Sequence, residues 1–297
     1  MKKFFPFALL LLTIGTAFFV SSCDDENALP PIDGYNNSNE VAATNLVAHW
    51  TFDDTNNERL SNTAPSNTYG TVGFTDGQIG KALNLQAGAL KFPSIAAIGG
   101  ANSLPNYTIS LWLEAKNTGN SFSTYFGIFP TGNTDFWGNM SVSAETGWFP
   151  ANGPVGDTLV LKTNYLSKLA AGGENGQDNR PDPRGKPPVG VFKSARVWCH
   201  VVARWNASTH KLELFGNGKS IGAYNDRGIN SVEMIMRTPC VPMFGSLATT
   251  NTGFASAPNM PDWQVLATAK IDDVRVFNAA LSQAEITALY NLGVAKR

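Results

Sequence analysis

The sequence predicts an all-β protein, an antiparallel two-sheet jelly-roll sandwich with one short C-terminal helix. Three observations predict it. Apolar and polar residues alternate in short segments from Leu46 to Phe277, the period of a half-buried strand. An Asn-Gly pair, Asn217-Gly218, separates two such segments, and that pair supplies the two positive-φ residues of a type I′ hairpin turn. Helical spacing is confined to the end of the chain, after Ser282. Many strands and a single terminal helix imply sheet packed on sheet.

The elements follow in order. Residues Leu46 to Phe52 place Leu46, Ala48, Trp50 and Phe52 on one face of a first strand. Similar signals cover Ala82 to Leu85, Tyr107 to Leu113, Ser123 to Phe129, Val197 to Trp205, Lys211 to Phe215 and Ile271 to Phe277. Ser282 and Glu285 form a capping box, Ile286, Leu289 and Tyr290 give an apolar stripe, and Gly293 is placed to close the helix. Trp50, Trp112, Trp198 and Trp205 fall in expected strands and are expected in the core.

The N-terminus has a different character. Lys2 and Lys3 precede an almost wholly apolar run from Phe4 to Val20, then Ser21, Ser22 and Cys23. Charge, a short apolar run and small residues are the order of a secretory signal, so residues 1–22 are expected to be removed. Val20-Ser21-Ser22-Cys23 resembles the lipobox of bacterial lipoproteins, which implies lipidation at Cys23 and a membrane partner reached through that lipid. Residues 23–44 are polar, beginning Asp24-Asp25-Glu26 after the Cys, and read as a flexible tether. Acidic residues directly after the acylated Cys resemble a surface-export signal, which implies the outer membrane with the domain facing the cell exterior. The globular domain is then residues 45–297.

Loss of residues 1–22 leaves 20 basic and 23 acidic side chains. With no basic block or stripe, nucleic acid is excluded as an expected partner. Cys199 and Cys240 remain in the domain. In an oxidising compartment such a pair forms a disulfide, the alternative being two buried free thiols.

A family resemblance covers most of the domain. LVAHWTFDD (Leu46 to Asp54), GQIGKALNL (Gly77 to Leu85), YTISLWL (Tyr107 to Leu113), WCHVV (Trp198 to Val202), LFGNGK (Leu214 to Lys219) and IDDVRVFNAALS (Ile271 to Ser282) resemble, in order, the strands of LamG-like, concanavalin A-like jelly rolls. Thr131 to Pro188 is longer and richer in Gly, Pro and Asn than that family's connection and is expected to be an insertion. The resemblance implies the fold; a fold by itself does not fix function.

Catalytic chemistry is thin. A glycosidase needs two carboxylates flanking the scissile bond, and no acidic run at strand spacing occurs. Glu145 and Asp157 lie apart in the insertion and Glu213 stands alone on a hairpin. His49, His200 and His210 lack metal-ligand spacing; the first two are expected to pack and hydrogen-bond. Asp53, Asp54 and Asp272 end strands, with Asp54 and Asp272 pointing toward apolar faces. Buried carboxylates need backbone donors or a cation, and the resemblance implies a structural calcium. Sugar recognition needs flat aromatic faces beside planar polar groups; Trp137, Trp148, Phe149 and Trp263 are the loop candidates, flanked by Asn133, Asp135, Asn139 and Asn152. The expected function is therefore non-catalytic carbohydrate binding. The alternatives are a glycan-degrading hydrolase whose acids converge from separate strands, and an adhesion or scaffold protein with a protein partner.

Overall fold

A computed structural model describes Met1 and residues 29–116, 121–145, 158–178, 191–224 and 231–297. The chain divides into two compact units, Met1–Pro30 and Pro31–Arg297; among the described residues, every strand and helix belongs to the second. No helix among the described residues is long and apolar enough to cross a membrane. Cys23, Trp148 and Phe149 lie outside the described residues, as do Asn152 and Asp157.

The strands are β1 (Leu46–Trp50), β2 (Asn67–Asp76), β3 (Lys81–Lys91), β4 (Tyr107–Ala115), β5 (Phe122–Pro130), β6 (Met140–Glu145), β7 (Leu159–Leu169) and β8 (Glu174–Asp178). They continue with β9 (Val191–Phe192), β10 (Cys199–Asn206), β11 (Lys211–Gly216), β12 (Lys219–Tyr224), β13 (Ser231–Met234), β14 (Cys240–Phe244) and β15 (Ala267–Phe277). Among the described residues the α-helices are a single turn, α1 (Ala96–Gly99), and the terminal helix α2 (Gln283–Val294). Every pairing between these strands is antiparallel, in the order β12-β11-β10-β4-β15-β3-β14-β5-β6-β7-β13, with β1 on β15, β2 on β3, and β8 and β9 on β7.

The path folds on itself where β3 meets β14. Only Met243↔Lys91 and Phe244↔Leu90 join them, so the sheet has a narrow hinge there. The half running β12 to β3 and the half running β14 to β13 turn alternate residues toward one shared core. Leu83, Leu111, Val201 and Ile271 come from the first half; Phe126, Val142, Leu161 and Phe244 come from the second. Trp50 lies among Phe92, Phe126 and Phe244, with ring centroids 5.2 to 5.6 Å apart, close to the edge-on distances aromatic pairs favour. The predicted two-sheet sandwich is this core with its two walls.

Local chemistry explains the elements that the sequence announces. Asn217 (φ 49°) and Gly218 (φ 74°) turn β11 into β12 as expected. Ser282 caps α2, its hydroxyl accepting from Glu285 N while the Glu285 carboxylate accepts from Ser282 N. Gly293 does not end α2 as predicted. It lies inside the last turn, where a Cβ would stand 2.5 Å from the Trp112 indole nitrogen, so its smallness serves packing.

Other expectations are corrected. In β1 a bulge between Leu46 and Ala48 turns Leu46 away from the Trp50 face and toward α2. Residues 31–44, expected as tether, belong to the folded unit. Ser38 and Val41 are buried; Arg275 donates to the Ser38 carbonyl (3.0 Å) and hydroxyl (2.8 Å); and Ser38 N donates to the carbonyl of Arg297 at 3.2 Å. A polar segment is fixed here by a buried guanidinium, a partner that its own composition does not reveal. Within the expected insertion, Met140–Glu145, Leu159–Leu169 and Glu174–Asp178 build β6, β7 and β8, so these segments are part of the second wall. The cysteines are free thiols. Cys199 Sγ donates to the carbonyl of Leu113 (3.3 Å) and Cys240 Sγ to that of Gly99 (3.5 Å); each is held by a different neighbour, so no disulfide links them. Burial pushes the Cys199 thiol up to about 12 and the Cys240 thiol up to about 11. Trp50, Trp112 and Trp205 are core residues as expected, while Trp198 precedes β10 and is only half-buried.

Candidate functional site

Two of the loop aromatics meet. Trp137 leaves the turn between β5 and β6, whose shape is set by Asp135: one carboxylate oxygen accepts from Trp137 N (2.7 Å) and Gly138 N (3.3 Å). Asn133, buried beside it, donates to the Asp135 carbonyl at 2.6 Å. Trp263 leaves the loop before β15 and is pinned to the start of β5, since Phe122 N donates to the Trp263 carbonyl (2.7 Å) and Val265 N to the Phe122 carbonyl (3.2 Å). Segments more than a hundred residues apart in sequence thereby set two indoles 6.0 Å apart and within 16° of parallel.

The pair is supported from beneath. Phe122 meets both rings edge-on, at 5.7 Å and 5.9 Å, and Phe136 meets Trp263 edge-on at 5.4 Å. Trp137 and Trp263 are each 41% exposed, beside Val265 at 38%. Most large apolar side chains here are buried, so an adjacent exposed group held on a fixed backbone is the kind of patch that marks contact with a ligand.

The sheet face next to the pair is polar. Residues alternate along β6 and β7, and an irregularity between Thr124 and Phe126 separates these two in β5: Phe126, Val142 and Leu161 face the shared core, while Thr124, Ser141, Ser143 and Asn164 face outward and are buried nonetheless. They are chained to one another and to the platform. Thr124 and Ser143 hydroxyls lie 3.0 Å apart, Ser143 and Ser141 3.3 Å; Ser141 donates to the Asn164 amide oxygen, and Asn164 donates to the Trp137 carbonyl at 3.1 Å. Two buried amide oxygens near the tryptophans, on Asn133 and Gln264, have no hydrogen-bond partner, which is costly for a buried polar atom.

The predicted acidic residues only partly converge. Gly77 to Lys81 forms a tight turn, closed by Gly77 N donating to the Gly80 carbonyl at 2.9 Å. Asp53 accepts from Lys81 N and Asp272 from Ile79 N, each at 2.8 Å. A Cβ on Gly80 would lie 2.2 Å from the Asp53 carboxylate and one on Gly77 2.5 Å from that of Asp272; the glycines admit both acids. Asp272 is fully buried, its second oxygen has no partner, and burial, with the charges of Asp273 and Asp53, pushes it up to about 8. Asp54 is exposed at φ 59° and does not join them. Among the described residues no group of three or more His, Cys, Asp or Glu is gathered as a metal site. A cation at this turn would therefore have Asp272 and Asp53 as carboxylate ligands and take its other oxygens from backbone and water.

Asp272 also departs from the face predicted for it. A bulge between Asp272 and Arg275, with Asp273 at φ 44°, removes Asp272 from the face of Val274 and Val276. Asp273 serves a structural network instead. His49 Nε2 lies 2.7 Å from its carboxylate, and Arg275 Nε donates to both of its oxygens at 3.0 Å. Burial opposes its charge, yet Arg275 and His49 hold it well below the usual carboxylate range. His200 bonds the Ser110 hydroxyl at 2.8 Å. Both histidines thus pack and hydrogen-bond, as expected. Of the isolated acids, Glu213 is paired with Arg204 at 2.6 Å and Glu145 ends β6.

Comparison with known protein families finds no match, nor does comparison with curated proteins. Solved structures do match. The binding domain of Paraclostridial Mosquitocidal Protein 1 is similar at TM-score 0.52 and 15% identity, over 84% of this chain and 52% of that one. Domain 4 of AbnA, a GH43 extracellular arabinanase from Geobacillus stearothermophilus solved with arabinotriose, is similar at TM-score 0.51 and 19% identity, over 82% of this chain and 98% of that one. The binding domain of botulinum neurotoxin DC, solved with rat synaptotagmin II, is similar at TM-score 0.51 and 13% identity, over 84% and 52%. The chain spans about half the length of the two toxin domains. At these identities the shared property is the β-sandwich fold, one used by carbohydrate- and receptor-binding domains.

Proposed function

We propose that this chain is a non-catalytic glycan-binding module, held at the cell exterior by a lipid on Cys23. The observation that carries the reading is the Trp137–Trp263 pair, exposed, near-parallel and pinned by backbone hydrogen bonds from two separate loops. Flat indole faces remove one side of a sugar ring from water at little entropic cost when they are already fixed. A domain of the same fold captured with arabinotriose makes the architecture compatible with that use. The anchor rests on the signal-like run and the lipobox-like Val20-Ser21-Ser22-Cys23.

A structural calcium remains part of the proposal, held by Asp272 and Asp53 at the Gly77–Lys81 turn. It would give the unpartnered Asp272 oxygen a ligand and keep that carboxylate ionised. Addition of calcium to chelated protein is expected to raise Tm for the parent and not for Asp272→Asn. An equal response of both would remove the site. The alternative function is recognition of a protein partner, favoured by the synaptotagmin complex of a similarly folded toxin domain.

A glycan-array screen of the full-length chain, with calcium and with chelator, tests the reading. Saturable binding that is lost in Trp137→Ala and Trp263→Ala is expected. A blank array from folded protein would overturn it and direct the search to pull-downs.

A further inference from the structure

The charges around the tryptophan pair bear on which glycans it accepts. The turn that carries Trp137, residues 131–139, holds one charged side chain, Asp135; the loop that carries Trp263, residues 245–266, also holds one, Asp262. Both are acidic, one immediately before Trp263 and one two residues before Trp137. Asp262 is exposed and Asp135 half-buried. Neither loop contains a lysine or arginine.

Among the described residues, three cations on or beside strands of the second wall and its hinge have partners. Lys91 lies over the Phe254 ring at 3.9 Å and donates to the Gly253 carbonyl at 2.6 Å. Arg237, which reaches the start of β6 through its backbone, pairs with Glu174 at 2.5 Å. Lys162, opposite Ser143 in the β6–β7 register, is buried and has a partner of its own. In the same two loops Thr131, Thr134 and Asn259 are exposed and neutral.

We infer that the Trp137–Trp263 platform selects uncharged polysaccharide chains and rejects anionic ones. This rests on the glycan-binding reading and adds the ligand's charge class to it. Recognition and rejection come from different groups. The two indoles, stacked with centroids 6.0 Å apart and each 41% exposed, offer a sugar ring the faces they do not turn toward each other. Asp135 and Asp262 place like charge where a uronate, sialate or sulfate would sit, and a like-charge contact at a site partly shielded from water opposes binding.

The test is retention of the full-length chain, in detergent solution, in gels containing neutral polysaccharides (arabinan, xylan, mannan) or acidic ones (polygalacturonate, alginate, heparin). Binding of at least one neutral chain is expected, with every acidic one at least tenfold weaker, and with that binding lost in Trp263→Ala. Asp262→Lys is expected to raise acidic-chain binding severalfold while leaving the fold, followed by circular dichroism, unchanged. Acidic chains bound as well as neutral ones, and released by Trp263→Ala, would overturn the charge rule while the glycan platform stands. The same holds if Asp262→Lys leaves their exclusion untouched. Failure of every polysaccharide, neutral and acidic, to bind the folded parent would overturn the platform itself.

Discussion

On the outer side of the first wall, Val202, Phe215 and Phe277 lie beneath Ile286, Leu289 and Leu292 of α2 and beneath Val41 of the N-terminal segment. The corresponding side of the second wall carries Thr124, Ser141, Ser143 and Asn164 and runs into two tryptophans that are each 41% exposed. Both surfaces come from strands whose other side faces the same core. One is completed by the chain's own helix, where each fully buried apolar side chain contributes about 1.5–3 kcal/mol to stability. The other keeps apolar area in water at its edge and uses polar groups to hold that area in place. The contrast separates stability from recognition: changes on the first surface are expected to alter folding, and changes at the edge of the second to alter binding.

The largest expected effect tests the network under the first surface. Arg275→Ala removes the guanidinium that ties Ser38 to Asp273 and leaves a buried carboxylate short of its partner, a loss of about 3–5 kcal/mol. Denaturant unfolding measures it, and a loss below about 1 kcal/mol would mean that the N-terminal segment is not held as described. Leu292→Ala, at a fully buried position of α2, is expected to cost about 2–5 kcal/mol and to leave glycan binding intact. Loss of binding in folded Leu292→Ala protein would blur the division between the two surfaces.

A pH effect of intermediate size belongs to the first surface as well. Burial holds His200 down to about 4, against an ordinary value of 6.5. The unfolded chain therefore takes up the proton first as pH falls. The His200 contribution to stability is complete above about pH 6.5 and is lost progressively toward pH 4, by on the order of 3 kcal/mol. Unfolding midpoints between pH 4 and 7 are expected to fall more steeply for the parent than for His200→Gln, and equal slopes would remove His200 as the cause. The smallest stability effect is expected at the edge of the second surface. Trp263→Ala should change stability by about 0.5 kcal/mol or less, while abolishing glycan retention. A large loss of stability there would identify the indole as a lid on the core.

Much of the fold was legible in the sequence because its signals are local. Period-two alternation from Tyr107 to Leu113, the Asn217-Gly218 turn and the Ser282–Glu285 cap each depend on neighbours a few residues away. β6 and β7 were not read as strands. Their outward positions hold Ser141, Ser143 and Asn164, so the composition resembles a loop until the opposite face is known to pack on the core. The site was half legible. Trp137 and Trp263 were recognisable as exposed loop aromatics, but nothing in either segment announces the other.

The sequence by itself determined the sandwich class, the terminal helix, the absence of a basic block and the residue types available for stacking, since alternation, capping and charge count are properties of short stretches or of the whole chain. Tertiary structure alone decided three matters. It moved residues 31–44 from tether to folded unit, because their anchor, Arg275, is more than two hundred residues away. It left Cys199 and Cys240 as separate thiols, because each lies against a different carbonyl. It also joined Trp137 to Trp263, because Phe122 at the start of β5 supports both rings and bonds the backbone of the second, a meeting that depends on where distant strands are brought side by side.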